Sequence, residues 1–315
     1  MLLVCASCAP SDLPLTLAAP ALIGGTPDTV HSAVVSVQTR PGVTRGELCT
    51  GTLIAPRAVL TAGHCTAGHA PDELSVGVGP SAGRPDLVLE VSEVHTYPLY
   101  LGEDGDLQQG RDLGLLLLTR DAPVPPIAPG RSGGSPAPGD AVVLVGFGQS
   151  AAADVQTRGN RRLVETSVTA ACDRALTFGT AAATACHGDS GGAVLSLSGG
   201  SEHLVGIISG GLGRSGDCTP PTFGPLTEPY LQWMGSVIAG TPDDTCARTC
   251  PPPSGSCGPP SDAGVDGAVE SRRPAAGCAT GQVTPCAGLW IGLLWVRRRR
   301  AIARGIGRLV RAGQS

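Results

Sequence analysis

The sequence predicts an all-β protein with two consecutive sets of short strands and a short helix closing the second set. Three observations carry this. Short apolar runs rich in Val, Leu and Thr recur, each bounded by Gly, Pro or Asp, at roughly the spacing of an all-β barrel. Among 315 residues 46 are Gly and 28 Pro while only 15% are charged, which favours turns and strands over long helices. A Pro-rich connector, Ala122–Pro138, divides the runs into two groups.

Residues 1–21 read as an export leader. They are apolar, lack a basic start and are interrupted by Asp12. Two processing routes stand side by side: lipidation at Cys8, or cleavage at Ala19-Pro20-Ala21 directly before Leu22. The first strand set is Ala33–Gln38, Leu48–Ile54, Ala58–Thr61, Leu74–Val78, Leu87–His95 and Leu113–Leu118. The second is Ala141–Phe147, Arg162–Thr169, Ala193–Leu197 and Leu204–Ser209. Thr227-Glu228-Pro229 reads as a helix start, with Leu231, Met234 and Ile238 on one face and Gly240 as the stop. These elements define a globular domain over 22–240. Residues 241–285 are rich in Pro, Gly, Ser and Asp with almost no large apolar side chains, and read as a disordered linker with small disulfide loops. Residues 286–296 follow as a short apolar helix and 297–315 as an Arg-rich tail. Ala287–Val296 alone would span about 15 Å, short of the ~30 Å hydrocarbon core, whereas the uncharged stretch from Pro274 would suffice. The arginines would then stay cytoplasmic, with the globular part facing out. The alternative is a basic tail lying on a membrane surface.

The net charge of −4 conceals an asymmetry: the tail holds seven arginines and no acid, so residues 1–296 carry 15 Arg against 26 acids, a net −11. A body that acidic argues against a nucleic-acid partner. Twelve cysteines point to an oxidising, extracytoplasmic compartment, secreted or attached to a bacterial envelope through the apolar segment or a lipidated Cys8. They fall into three groups: Cys5 and Cys8; Cys49, Cys65, Cys172, Cys186 and Cys218; Cys246, Cys250, Cys257, Cys278 and Cys286. The Cys246-x₃-Cys250 pair lies in a proline-rich run with no histidine nearby, which argues against zinc. No metal or organic cofactor is implied.

Three motifs carry chemistry. In Ala185-Cys186-His187-Gly188-Asp189-Ser190-Gly191-Gly192 a serine sits between glycines, as an exposed nucleophile requires. Small neighbours admit a substrate carbonyl, and the amides of Gly188 and Ser190 can point at one oxygen. Each such donor is worth about 10²–10³ in rate at a developing oxyanion. A serine hydroxyl is a weak nucleophile without a base, and the base needs an orienting partner. Thr61-Ala62-Gly63-His64-Cys65 supplies the base, His64, after a strand. Asp112, directly before Leu113–Leu118, supplies the orienting carboxylate, whereas Asp104 and Asp106 sit in Gly-Glu-Asp-Gly-Asp-Leu, which reads as a solvated loop. His31, His69, His95, His187 and His203 have no such setting and read as surface or packing residues.

Together these motifs resemble the trypsin/chymotrypsin-type (S1) serine proteases, over residues 22–239. The resemblance implies two six-stranded Greek-key β-barrels with a C-terminal helix. It also implies a serine endopeptidase acting on polypeptides through an acyl-enzyme, with His64, Asp112 and Ser190 as the triad and Gly188 and Ser190 as the oxyanion hole. Leu22-Ile23-Gly24-Gly25 resembles the family's mature N-terminus, whose freed α-amino group pairs with the residue before the nucleophile, here Asp189. The residue before that cut is Ala21, which points to a signal peptidase or another protease rather than a trypsin-like activator. Cys49–Cys65 and Cys186–Cys218 are the implied bridges, the first closing a loop for which chain entropy gives roughly 3 kcal/mol. Cys172 matches a family cysteine whose partner would fall near Gly179, where none stands, so it is free or bridged unusually. The implied substrate pocket comprises Thr184, Ser209, Gly210, Gly211 and Thr222. Thr184 replaces the aspartate that selects Arg or Lys, so an uncharged, apolar P1 residue is expected. The tail resembles the Cys, apolar helix, Arg sorting tags of some bacterial surface proteins. A monomer is expected.

Two other readings compete with this one. The G-x-S-x-G elbow of α/β-hydrolases needs a helix after the serine and the order Ser, Asp, His; here strand-like Ala193–Leu197 follows, and His203 precedes Asp217. A non-catalytic homologue that binds a protein partner is the other alternative, although no triad member is missing.

Overall fold

The computed structural model describes residues 22–241, apart from 44–46, 103–105, 107–108, 131–135, 153, 199–200 and 212–217. The leader, with Cys5 and Cys8, lies outside the described residues. So do Asp104, Asp217, the linker beyond 241 with its cysteines, the apolar segment and the Arg-rich tail. No helix among the described residues is long and apolar enough to cross a membrane.

The chain order is β1 (Thr26–Pro27), β2 (Val34–Thr39), β3 (Leu48–Ala55), β4 (Ala58–Thr61), β5 (Leu74–Val78), β6 (Leu87–Thr96) and β7 (Gly114–Leu118). It continues with β8 (Ala141–Gly146), β9 (Arg162–Ala171), β10 (Ala175–Phe178), β11 (Ala193–Ser198), β12 (Ser201–Ile207), β13 (Gly210–Gly211), β14 (Thr222–Pro225) and α1 (Leu231–Ala239). Strands β2-β3-β4-β7-β6-β5 close into a six-stranded antiparallel barrel. The second sheet has the order β12-β11-β8-β9-β10-β14-β13, with β1 added against β9. It curls back on itself, so that Gly206 of β12 meets Leu226, just past β14, in an isolated antiparallel bridge. The fold is a trypsin-like double β-barrel closed by one helix.

Both sheets follow the side-chain alternation of strands, but the strands at their junction are apolar on both faces. In β4, Ala58 and Leu60 face the second sheet while Val59 fills the first barrel; in β7, Leu115 faces out and Leu116 and Leu118 face in. Val143 and Val145 of β8 and Leu195 of β11 complete this shared core, and Val142, Leu144 and Val194 turn to the second barrel's interior. Burial on two sides is why β4 and β7 read as continuous hydrophobic runs. The shared core also fixes where the chemistry falls. Thr61, ending β4, pairs with Gly114, starting β7, so the residues just past one strand and just before the other emerge at one end of the barrel.

Strands β1, β10 and β14 lie outside the expected runs, whereas β13 falls in Ser209-Gly210-Gly211, which resembles the family's edge strand for extended peptides. Strands β1 and β13 have only two residues, and β14 carries Gly224 and Pro225 after a Pro-Pro pair, punctuation that reads as a turn. The helix follows a 3-10 turn at Glu228–Tyr230 and ends at Gly240, whose φ of 63° caps it. Its buried face differs from the expected one. Leu231 and Ile238 are exposed, and the stripe packed into the shared core is Tyr230, Trp233, Met234 and Val237. The helix docks through its aromatic residues, whose area outweighs that of the two aliphatic ones.

Candidate active site

His64 lies in a 3-10 turn, Gly63–Cys65, immediately after β4, and Asp112 lies immediately before β7. The pairing of those strands brings the two side chains together: His64 Nδ1 and Asp112 Oδ2 are 2.8 Å apart, and the His64 amide donates to Asp112 Oδ1 at 2.8 Å. The hydroxyl of Ser209 also donates to Asp112 Oδ2. Asp112 is fully buried, and burial alone would raise its pKa. The hydrogen bond and charge of His64, then the Ser209 hydroxyl, overcome this and hold the carboxyl below its ordinary value. Burial likewise disfavours protonated His64, but the hydrogen bond and charge of Asp112, with a smaller effect from Glu47, leave its pKa raised. The imidazole therefore has one nitrogen fixed by a carboxylate and a base strength greater than that of free histidine.

Ser190 stands in the turn that leads into β11. The turn needs glycine on both sides: Gly188 has φ 98° and Gly191 φ 81°, and a Cβ on Gly191 would come within 2.2 Å of the Thr50 carbonyl oxygen and the Thr61 hydroxyl. Among the described residues, the amides of Gly188 and Ser190 donate to no other group, while those of Asp189, Gly191 and Gly192 are all bonded. The Ser190 hydroxyl donates to the Ser209 carbonyl at 3.4 Å, so Ser209 links Ser190 through its backbone and Asp112 through its side chain. A staggered rotation about χ1 separates that rotamer from others at the same turn.

Asp189 is fully buried beneath the turn. Its carboxylate accepts from the amides of Gly148 (2.7 Å) and Cys186 (2.9 Å), yet burial dominates and pushes its pKa up to about 7. No cation pairs with it among the described residues. Leu22 is held at φ 44°, and its side chain is fully buried among Leu144, Leu176 and Phe178 of the second barrel.

A cavity of about 250 Å³ opens beside Ser190, lined by Ser209, Gly210, Gly211 and Thr222 together with Ile208, His187, Thr219 and the Cys186–Cys218 disulfide. Thr184 is not on its wall; it lies behind Thr222, the two hydroxyls 2.9 Å apart and both buried. Cys49 and Cys65 are joined, tying β3 to the His64 turn. Cys172 is also in a disulfide, its partner outside the described residues.

Several residues differ from the sequence reading. Asp106 is buried rather than solvated: its carboxylate accepts from the Leu101 amide and its carbonyl from the Arg111 amide, so it shapes the approach to Asp112. His187, expected at the surface or in packing, lines the cavity, and His31 is a packing residue as expected, buried against Asp28 and Glu202. The Tyr230 hydroxyl donates to the Gly110 carbonyl, two residues before Asp112, and its ring stacks edge-on to Tyr97 at 4.9 Å. Nothing local to Tyr230 in the sequence signals this contact, because it spans 120 residues. A double barrel with a buried carboxylate, an imidazole and a glycine-flanked serine at its seam defines the class of trypsin-like serine proteases.

The comparisons agree with that class. The chain belongs to the trypsin family, whose model matches residues 22–234, and it is a serine endopeptidase. Over 234 residues it is 27% identical to a trypsin of Saccharopolyspora erythraea, covering 70% of this chain and 99% of that protein. Over 248 residues it is 27% identical to the platelet-aggregating proteinase PA-BJ of Bothrops jararaca, covering 71% of this chain and 98% of the relative.

Proposed function

We propose that the protein is an exported endopeptidase that cleaves polypeptides after an uncharged, apolar P1 residue. Ser190 attacks the scissile carbonyl, and His64 accepts its proton and returns it to the leaving amine. Asp112 holds the imidazole in one tautomer and stabilises the imidazolium. The unpaired amides of Gly188 and Ser190 receive the oxyanion. The observation that carries this reading is the fully buried Asp112 carboxylate, which grips His64 at both its amide and Nδ1. In attack, the Ser190 hydroxyl turns from the Ser209 carbonyl towards His64 Nε2; such hydrogen bonds often tighten only in the substrate complex.

The cavity beside Ser190 supports the P1 assignment. Its described lining has no acidic side chain, and Ile208, Gly210 and Gly211 leave room for an aliphatic group in front of the Thr222 hydroxyl. Strand β13 ends its sheet, so an extended peptide can add along Gly210–Gly211. Asp189 supports an activation step. Cleavage before Leu22 would free an ammonium group for a buried carboxylate that pairs with no cation among the described residues, in a domain spanning 22–240. The disulfides agree with an oxidising, extracytoplasmic setting, and attachment through Cys8 or the C-terminal segment belongs to the same proposal.

Ser190→Ala is the direct test. It should abolish hydrolysis and fluorophosphonate labelling while the thermal melt stays unchanged; undiminished labelling would end the triad reading. A folded wild-type chain, starting at Leu22, that takes no label would instead favour the non-catalytic binding homologue. Among peptide p-nitroanilides, P1 Leu or Phe should exceed P1 Arg by at least about tenfold in kcat/KM.

A further inference from the structure

We propose that Thr50, a residue of the first barrel, is a positioning residue for the oxyanion turn of the second; this rests on the reading of Gly188 and Ser190 as oxyanion donors. Thr50 is fully buried in β3, directly after Cys49. It takes hold of the turn at two points. Its hydroxyl donates to the Gly188 carbonyl at 2.8 Å, and its amide donates to the Ser190 carbonyl at 2.8 Å. The same hydroxyl accepts from the Phe147 amide at 3.0 Å, joining the segment that follows β8 to the turn it packs against. The Thr50 carbonyl is in turn held by the Thr61 hydroxyl at 2.7 Å, at the end of the strand leading to His64.

This arrangement spends two carbonyls of the turn on Thr50, while the amides of Gly188 and Ser190 have no partner among the described residues. With Gly188 C=O and Ser190 C=O fixed to Thr50, the peptide planes that follow both residues are set; the preceding planes, which carry the amides of Gly188 and Ser190, are held at their own carbonyls by the Gln149 and Gly192 amides and hinge on the same two Cα atoms that Thr50 anchors. A glycine at 188 would otherwise leave the plane after it free to rotate, since Gly resists few backbone conformations. An oxyanion site works only when its donors are already aimed, and small misplacements are costly. Because the hydroxyl both donates and accepts, a side chain must carry a hydroxyl at this point. Valine, with the same shape, would leave a buried carbonyl and a buried amide unsatisfied.

The test compares Thr50→Val and Thr50→Ser with the wild-type chain starting at Leu22, counting active sites by fluorophosphonate labelling. Acylation is read with p-nitrophenyl acetate, and binding of a tetrahedral adduct with phenylboronic acid. Thr50→Val should slow acylation by about tenfold, less than the 10²–10³ lost on deleting an oxyanion donor. It should weaken the boronate by a similar factor and leave KM within about twofold, a split that loss of packing alone would not produce. Thr50→Ser should restore both. Wild-type acylation and boronate affinity in Thr50→Val would overturn the proposal, as would an equal loss in Thr50→Ser. If Thr50→Val does not fold, Thr50→Ala is read in its place. If that also fails to fold, the hydroxyl serves the fold rather than the turn and the proposal falls. Acetate-ester turnover that survives Ser190→Ala would instead overturn the triad reading itself, which separates the two failures.

Discussion

On the proposed mechanism His64 is the base, and its hydrogen bond to Asp112 sets the pH dependence of activity. The base must be neutral to act, so activity should fall on the acid side as pH drops through the His64 pKa, which Asp112 holds above the ordinary histidine value. Asp112→Asn removes the charge that raises it. The acid limb of kcat/KM should then move to lower pH while the plateau falls by about 10⁴-fold, the scale of loss when a triad aspartate becomes an amide. A limb that stays in place would detach Asp112 from His64. Asp189 gives a second residue-scale prediction. Its folded pKa, near 7, lies above the unfolded carboxylate value, so protonating it favours the fold, and that stability is lost as pH rises from about 4 towards 7. In a chain extending upstream of Leu22, Asp189→Asn should therefore flatten the decline of thermal stability over this window; an unchanged slope would show another group in control. Ser190, His64 and Asp112 were legible because each sits in a short motif whose neighbours restrict it. Thr50 was not, since a threonine in a strand reads as an ordinary β-former until the other barrel is packed against it.

The helix shows the limit of periodicity as a guide. Leu231, Met234 and Ile238 share a helical face in the sequence, yet the packed stripe is Tyr230, Trp233, Met234 and Val237. Two apolar stripes overlap on this short helix, and only the shape of the shared core, with Tyr97 5.3 Å from the Trp233 ring, selects between them. Trp233→Ala should cost about 3–5 kcal/mol in urea unfolding, whereas Leu231→Ala and Ile238→Ala should each stay within about 0.5 kcal/mol. Comparable losses for all three would restore the other face. The ten strands expected from runs of β-branched and leucine residues all occur, within a few residues at their ends. Strand β14 escaped notice because Gly224 and Pro225 carry turn signals. Its glycine is needed where the chain crosses the Ile207 carbonyl, a close approach that no local pattern announces.

Across the whole molecule, a second polar cluster joins the two sheets. Arg161, preceding β9, donates to Asp28 (2.8 Å) and reaches the carbonyls of Val34 and Gly79 in the first barrel; His31 bridges Asp28 (2.9 Å) and Glu202 of β12 (3.1 Å). The Asp28 hydrogen bond chiefly raises the pKa of His31 against burial, with Glu202 adding to it. Burial opposes the ionisation of Asp28, but His31, the Val30 amide and Arg161 hold its pKa at about 2. The signs differ. The His31 contribution is complete below the ordinary histidine value of about 6.5 and fades as pH rises through the raised one; the Asp28 contribution is complete above about 4 and fades towards 2. His31→Gln should therefore lower the urea midpoint most between about pH 4 and 6.5 and least in alkali. A loss independent of pH would make His31 a packing residue only. The two sets of strand runs, with the family resemblance carried by three motifs, were enough to assign the two-barrel class. They could not foresee this cluster, in which His31 and its partner Glu202 lie 171 residues apart.

The most direct measurement is fluorophosphonate labelling of the folded chain beginning at Leu22, read by intact mass and peptide mapping across pH. A single adduct on Ser190, absent in Ser190→Ala and declining below the His64 pKa, is the predicted result. A folded chain that takes no label, or takes it at another residue, would contradict a triad assembled between the barrels.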